Sequence, residues 1–203
     1  MENNIYESGQ VRKFFPYVRP CVQQFILGGP ADGDEAQLFH EVFPEVTVTG
    51  FEPHREFYKY QQRVNFPGAL RSEALWNKVG EHPFYDFTGN GGRGSRMGQG
   101  LTENWLDTDP GCSYVVQTTT LDHVFFPAPE KSLALWIDIE RSELIALQGA
   151  RYLLEAGAFD VILLEAFDEM IDDVRAFLSL YSMREVARII PGANVCNYIF
   201  WKF

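Results

Sequence analysis

The sequence predicts an α/β fold: a mostly parallel central sheet with helices on both faces and an antiparallel hairpin at its C-terminal end. Three observations predict it. Short apolar runs alternate with segments of helical period. Two of the runs, Leu133 to Ile139 and Val161 to Ala166, are apolar almost throughout, as expected of parallel strands buried on both faces. The last two runs are joined by a segment too short for a helix.

Taken in order, Phe25-Ile26-Leu27 is a short strand that runs into Gly28-Gly29. Asp34 to Phe43 reads as a helix, with Ala36, Phe39 and Phe43 on one face. Val46 to Phe51 is a second strand, and Pro53 opens a helix that carries Phe57, Tyr60 and Val64 on one side. Ala69 to Leu75 reads as a third strand. Between the two apolar strands, Ser142 to Ala156 is a helix rich in Leu and Ala. After them, Met170, Val174, Phe177, Leu178 and Tyr181 form a helical stripe. Arg184 to Ile190, Pro191-Gly192-Ala193-Asn194 and Cys196 to Lys202 then read as strand, turn and strand. Residues 88–111, glycine-rich and then acidic, break the rhythm and read as one flexible insertion loop.

At 203 residues the chain suits one domain spanning 1–203. The formal net charge of −11, with no run of Lys and Arg, argues against nucleic acid as a partner and favours a small-molecule substrate. The apolar runs are of strand length, so no membrane span is expected, and the polar start of the chain points to a cytoplasmic protein. Cys21, Cys112 and Cys196 form no CxxC pair, and His40, His54, His82 and His123 give no HxxxH spacing. No metal site is expected. Nine tyrosines and seventeen phenylalanines leave room for an aromatic homo-oligomer interface.

The chemistry concentrates at the first two strand tips. Gly28-Gly29-Pro30-Ala31-Asp32-Gly33 follows the first strand, where glycines allow a sharp turn and close approach of a ligand to the backbone. Glu52 lies nineteen positions after Gly33, at the tip of the second strand, where a carboxylate accepts hydrogen bonds from ribose hydroxyls. The competing reading is that Glu52 caps the helix beginning at Pro53. Only Gly29 and Gly33 keep the G-x-G-x-x-G frame, and Asp32 is unwelcome beside a pyrophosphate but acceptable beside a sulfonium. The pattern favours S-adenosylmethionine over a dinucleotide.

Five segments in order carry a resemblance. Phe51-Glu52-Pro53, Ala74-Leu75 with Gly80, Thr119-Thr120-Leu121-Asp122, the run from Leu133 to Ala150 containing Ile137-Asp138-Ile139-Glu140, and Val161 to Glu165 resemble motifs of FkbM-type S-adenosylmethionine-dependent methyltransferases. The resemblance implies a Rossmann-like class I methyltransferase fold and usually O-methylation of a sugar or natural product. It implies cofactor contacts at Gly29, Gly33 and Glu52, with the stretch from Ser72 to Asn77 beside the adenine; Asp32, Pro53, Ala74 and Asp138 are further candidates for cofactor contact. The chain departs from the pattern at Leu27, where an acidic residue is usual, and at Arg141-Ser142, where the family carries Gly-Ala. Arg141 stands at the mouth of the acceptor site, suited either to an anionic substrate or to blocking the usual one.

An alcohol needs its proton removed during methyl transfer, so a carboxylate or histidine within hydrogen-bond reach is expected. Asp138 is the first candidate for that base, with Glu140 the second; the alternative for Asp138 is a turn-stabilising bond to a backbone amide. Glu143 reads as an acidic complement to a helix N-terminus. Two rival functions remain: a methyltransferase-like module without catalysis, which Leu27 and Arg141 favour, and an NAD-dependent oxidoreductase.

Overall fold

A computed structural model describes residues 12–86, 96–97, 112–127, 132–189 and 195–203. In chain order the elements are β1 (Val22–Gly28), α1 (Asp34–Val42), β2 (Thr47–Phe51), α2 (Arg55–Arg63), β3 (Ala69–Arg71), β4 (Ala74–Leu75), β5 (Gly80–Asp86), β6 (Arg96–Met97), β7 (Cys112–Thr119) and α3 (Leu121–Phe125). There follow β8 (Ser132–Ile137), α4 (Glu143–Gln148), α5 (Arg151–Glu155), β9 (Phe159–Phe167), α6 (Ile171–Ser179), β10 (Met183–Ile189) and β11 (Val195–Lys202).

Seven strands form the main sheet in the order β3-β2-β1-β8-β9-β11-β10. The pairs from β3 to β9 are parallel, whereas β11 runs antiparallel to both β9 and β10. This is the class I methyltransferase arrangement: chain order reverses between β1 and β8, and one reversed strand is inserted near the edge. The dinucleotide-binding sheet, with strand order 3-2-1-4-5-6, has no such reversed insertion.

The continuous apolar runs are explained by two cores, one per face. Ile26, Leu133, Leu135, Ile137, Ile162 and Leu164 face α4, α5 and α6, where they meet Ala146, Leu147, Leu153, Val174 and Leu178. The alternate residues Phe25, Leu27, Ala134, Trp136, Val161 and Leu163 face α1 and Phe14. Phe25 and Phe39 stack with ring centroids 3.7 Å apart. Period-two alternation thus holds along each strand, but both faces are apolar because both are covered.

Several sequence expectations are corrected. The stretch from Ala69 to Leu75 is two strands in different sheets: β3 pairs with β2, while β4 pairs with β7 in a second, four-stranded sheet ordered β4-β7-β5-β6. That sheet, with its core of Ala74, Trp76, Phe84 and Val116, was not expected. Part of the expected insertion loop, Arg96–Met97, is a strand paired with Phe84 and Tyr85. Residues 88–95 and 98–111 and the turn at 191–194 lie outside the described residues.

The expected helix from Ser142 to Ala156 breaks into α4 and α5 at Gly149-Ala150. A side chain on Gly149 would run into the Trp76 carbonyl, so this glycine lets the helix pair close on the second sheet. The expected stripe on α2 is also corrected. Tyr60 and Val64 are exposed, and the buried residue of that helix is Gln61, which is held beneath the glycine-rich turn. A polar contact outweighs the apolar pattern there.

Candidate functional site

Chain order reverses between β1 and β8, so their carboxyl ends diverge into a crevice, the position at which open α/β sheets bind ligands. Gly28 lies at its floor, its carbonyl accepting the Asp138 amide at 3.0 Å. The Gly29 amide donates to the Phe51 carbonyl at 3.0 Å, which joins three strand tips. Gly29 has φ +76°, and a Cβ there would collide with the Asp138 carbonyl oxygen, so only glycine fits. Ala31 takes φ +42° and Gly33 φ +84°, and Asp32 sits half-buried between them.

Glu52 anchors this turn. One carboxyl oxygen accepts the Ala31 amide at 2.9 Å, and the other accepts the His54 amide at 2.8 Å. The side chain is buried, and burial outweighs those two bonds, pushing its pKa up to about 8. The helix-cap reading of Glu52 is corrected: α2 begins at Arg55, and its N-cap is His54, whose Nδ1 accepts the Phe57 amide. His54 Nδ1 is therefore unprotonated, which places the ring proton on Nε2, 3.3 Å from Asp86 Oδ2. Gln61 holds the same turn from below by donating its Nε2 to the Ala31 carbonyl. Pro53 and Ser72 share the wall of a cavity of about 380 Å³ with Arg55, Tyr58 and Gln117. Ala74 is buried with Trp76 and Phe84 in the second core.

The tip of β8 carries the acids. The strand ends at Ile137, two residues earlier than the apolar run suggests, and Asp138 is the first residue beyond it. Its pKa is raised well above the ordinary carboxylate range by burial, then by the negative charge of Glu165, Glu140, Glu143 and Glu35. Glu165, on β9, is raised by burial and by Glu140, while the Asn197 amide donates to it at 3.2 Å. Glu143 folds back so that Oε1 accepts the Ile139 amide at 3.1 Å. It is 1% exposed, its pKa is pushed up by burial to about 7, and Oε2 has no hydrogen-bond partner among the described residues. Glu143 thus pins the loop after β8 as well as opening α4.

Glu140 and Arg141 both have left-handed backbones, with φ +53° and +74°. The Arg141 guanidinium lies 4.0 Å over the Phe167 ring, and its Nη1 donates to Glu169 at 2.6 Å.

The Thr119-Thr120-Leu121-Asp122 motif is structural. Thr120 caps α3 by accepting the His123 amide at 2.9 Å. The two Asp122 oxygens accept the Tyr152 and Leu153 amides at 3.0 Å each, at the N-terminus of α5. Sequence reasoning missed Gln61 and Asp86. Gln61 had a signal, a polar residue at helical spacing from apolar neighbours; Asp86 had none, because it reaches His54 from an unexpected sheet. No cluster of three or more metal-ligating side chains occurs among the described residues, and no described helix is long and apolar enough to cross a membrane.

The family model for the methyltransferase FkbM domain matches residues 28–187. None of the curated proteins compared with the chain matches it. Among solved structures, a precorrin-6y C5,15-methyltransferase from Geobacter metallireducens is similar at 10% identity and TM-score 0.57, covering 100% of this chain and 93% of its own. A fibrillarin/Nop5p complex gives 9% identity and TM-score 0.56, with 98% and 82% covered. The 23S rRNA methyltransferase ErmE gives 10% identity and TM-score 0.52, with 96% and 67% covered. At such identities the likeness is one of fold.

Proposed function

This chain belongs to the FkbM methyltransferase family, and from that premise we propose that it transfers the methyl group of S-adenosylmethionine to a hydroxyl of a small molecule, a sugar or natural product. The observation that carries the reading is the set of carboxyls at the switch point. Asp138, Glu143 and Glu165 all have raised pKa values, as does Glu52 beneath the adjoining turn. Buried acids of this kind regain their charge beside a cation, and the donor brings a sulfonium and an ammonium. The buried, unpartnered Glu143 Oε2 fits such a group.

When bound, the cofactor supplies an electrophilic methyl carbon. Gly29, Asp32 and Gly33 form the turn that receives its amino-acid part, and Glu52 accepts from the ribose hydroxyls on lone pairs not used by Ala31 and His54. Pro53 and Ser72 border the adenine side. Asp138 and Glu140 face the acceptor. Asp138, whose pKa is raised well above the ordinary carboxylate range by burial, would take the proton of the acceptor hydroxyl. Holding the acceptor oxygen in place beside the donor would supply much of the rate.

The oxidoreductase reading loses its ground to the family and to the sheet order. A module without catalysis remains the alternative, favoured by the left-handed Arg141 at the acceptor side. Thermal unfolding with added ligand separates the three. S-adenosylhomocysteine raises the melting temperature under the proposed function, NAD does so for an oxidoreductase, and neither does for a module that has lost its cofactor.

A further inference from the structure

We propose that Arg141 is the acceptor-recognition residue and that the acceptor carries an anionic group, a carboxylate or phosphate, next to the hydroxyl that is methylated. The inference rests on the methyltransferase reading of the crevice and adds the charge of its substrate.

Four observations support it. The first is position. Arg141 follows the tip of β8 three residues after Asp138, on the side of the crevice bounded by β9, while the glycine-rich turn and Glu52 occupy the side of β1 and β2. The second is the backbone. Two successive non-glycine residues, Glu140 and Arg141, are held at φ +53° and +74°, a conformation glycine adopts without strain. A large side chain kept there against its conformational preference points to use of that side chain.

The third observation is the presentation of the guanidinium. Its Cζ lies over the Phe167 ring, 4.0 Å from the centroid. Its Nε is buried and has no hydrogen-bond partner among the described residues. A carboxylate or phosphate engages a guanidinium through two parallel bonds, and the Nε without a partner leaves a donor for one of them.

The fourth is the present partner. Nη1 donates to Glu169 at 2.6 Å, yet the Glu169 side chain is 60% exposed while that of Arg141 is 13% exposed. A carboxylate so accessible to water is readily exchanged for another anion. Glu169 thus occupies the place of the acceptor's own negative group and leaves when that group arrives.

The test is an NMR titration of the full chain with three probes, D-glucuronate, inorganic phosphate and D-glucose, each run with and without saturating S-adenosylhomocysteine. Expected is binding of glucuronate or phosphate at least tenfold tighter than that of glucose. Arg141→Gln abolishes the preference, and Glu169→Gln strengthens it several-fold. Arg141→Gly, which relieves the backbone, should lose the preference without a lower melting temperature. Equal affinity for glucose and the anions in wild type, or an anion preference that survives Arg141→Gln, overturns the proposal. Glu169→Gln lies outside the strained loop, so a weakened preference in that variant also counts against it. Failure of S-adenosylhomocysteine to bind would count against the function instead, while an Arg141-dependent preference in its absence would still support the anion site.

Discussion

Glu52→Gln replaces a buried acid by a neutral isostere where both carboxyl oxygens accept backbone amides, from Ala31 at 2.9 Å and His54 at 2.8 Å. In the folded protein the wild-type carboxyl titrates near 8, against 4.5 for the unperturbed group. The folded pKa is the higher one, so between those values the folded chain binds the proton more tightly than the unfolded chain. The stability this group contributes is therefore complete below the unfolded pKa and is lost as pH rises through about 8. At about 1.4 kcal/mol per pKa unit, the loss is on the order of 5 kcal/mol. Glutamine has one acceptor oxygen, and its NH₂ faces one of the two amides, which destabilises by about 1–3 kcal/mol. At pH 5 the variant should thus be the less stable protein, and by pH 8.5 the difference should vanish or reverse. Urea unfolding across this range, read as the midpoint at constant slope, measures it. Asp138 and Glu143 give both proteins a common slope, so the difference between the curves isolates Glu52. Parallel curves for the two proteins would refute a desolvated carboxyl at this position.

Other changes have distinct signatures. Asp138→Asn should lower the methyl-transfer rate by about 10²–10⁴-fold, the usual contribution of a general base, in single-turnover assays. Gly29→Ala should lose S-adenosylhomocysteine binding in a titration, because the added methyl collides with the Asp138 carbonyl oxygen and displaces the turn. Asp122→Ala should lower unfolding stability by about 1–2 kcal/mol through the loss of two bonds at the N-terminus of α5, with cofactor affinity unchanged.

The parallel strands were legible because burial on both faces leaves no polar position in Leu133 to Ile137 or Val161 to Leu164. The hairpin was legible because the chain between β10 and β11 is too short for a helix. The second sheet was not. β5 reads Gly80-Glu-His-Pro-Phe-Tyr-Asp86, in which Glu81 and Pro83 are exposed, Asp86 is buried, and Phe84 is the one buried apolar side chain. Motif order located the glycine-rich turn, Glu52 and Asp138, and the fold brings the tips that carry them together through bonds among Gly28, Gly29, Phe51 and Asp138. Motif order gave no means of separating residues that face the crevice from those that brace it. Asp122 and Glu143 sit in equally clear motifs, yet one holds α5 and the other pins the β8 loop. Gln61 was hidden for a different reason: hydrophobic periodicity seeks apolar contacts, and this helix docks through an amide.

The most direct test of the cofactor site is isothermal titration of the protein with S-adenosylhomocysteine, repeated on Glu52→Ala after its fold is checked by circular dichroism. Expected is micromolar binding by the wild type and at least a tenfold loss in the variant. Absence of binding in the wild type, or equal binding by both, would contradict a methyl-donor site built on the tips of β1, β2 and β8.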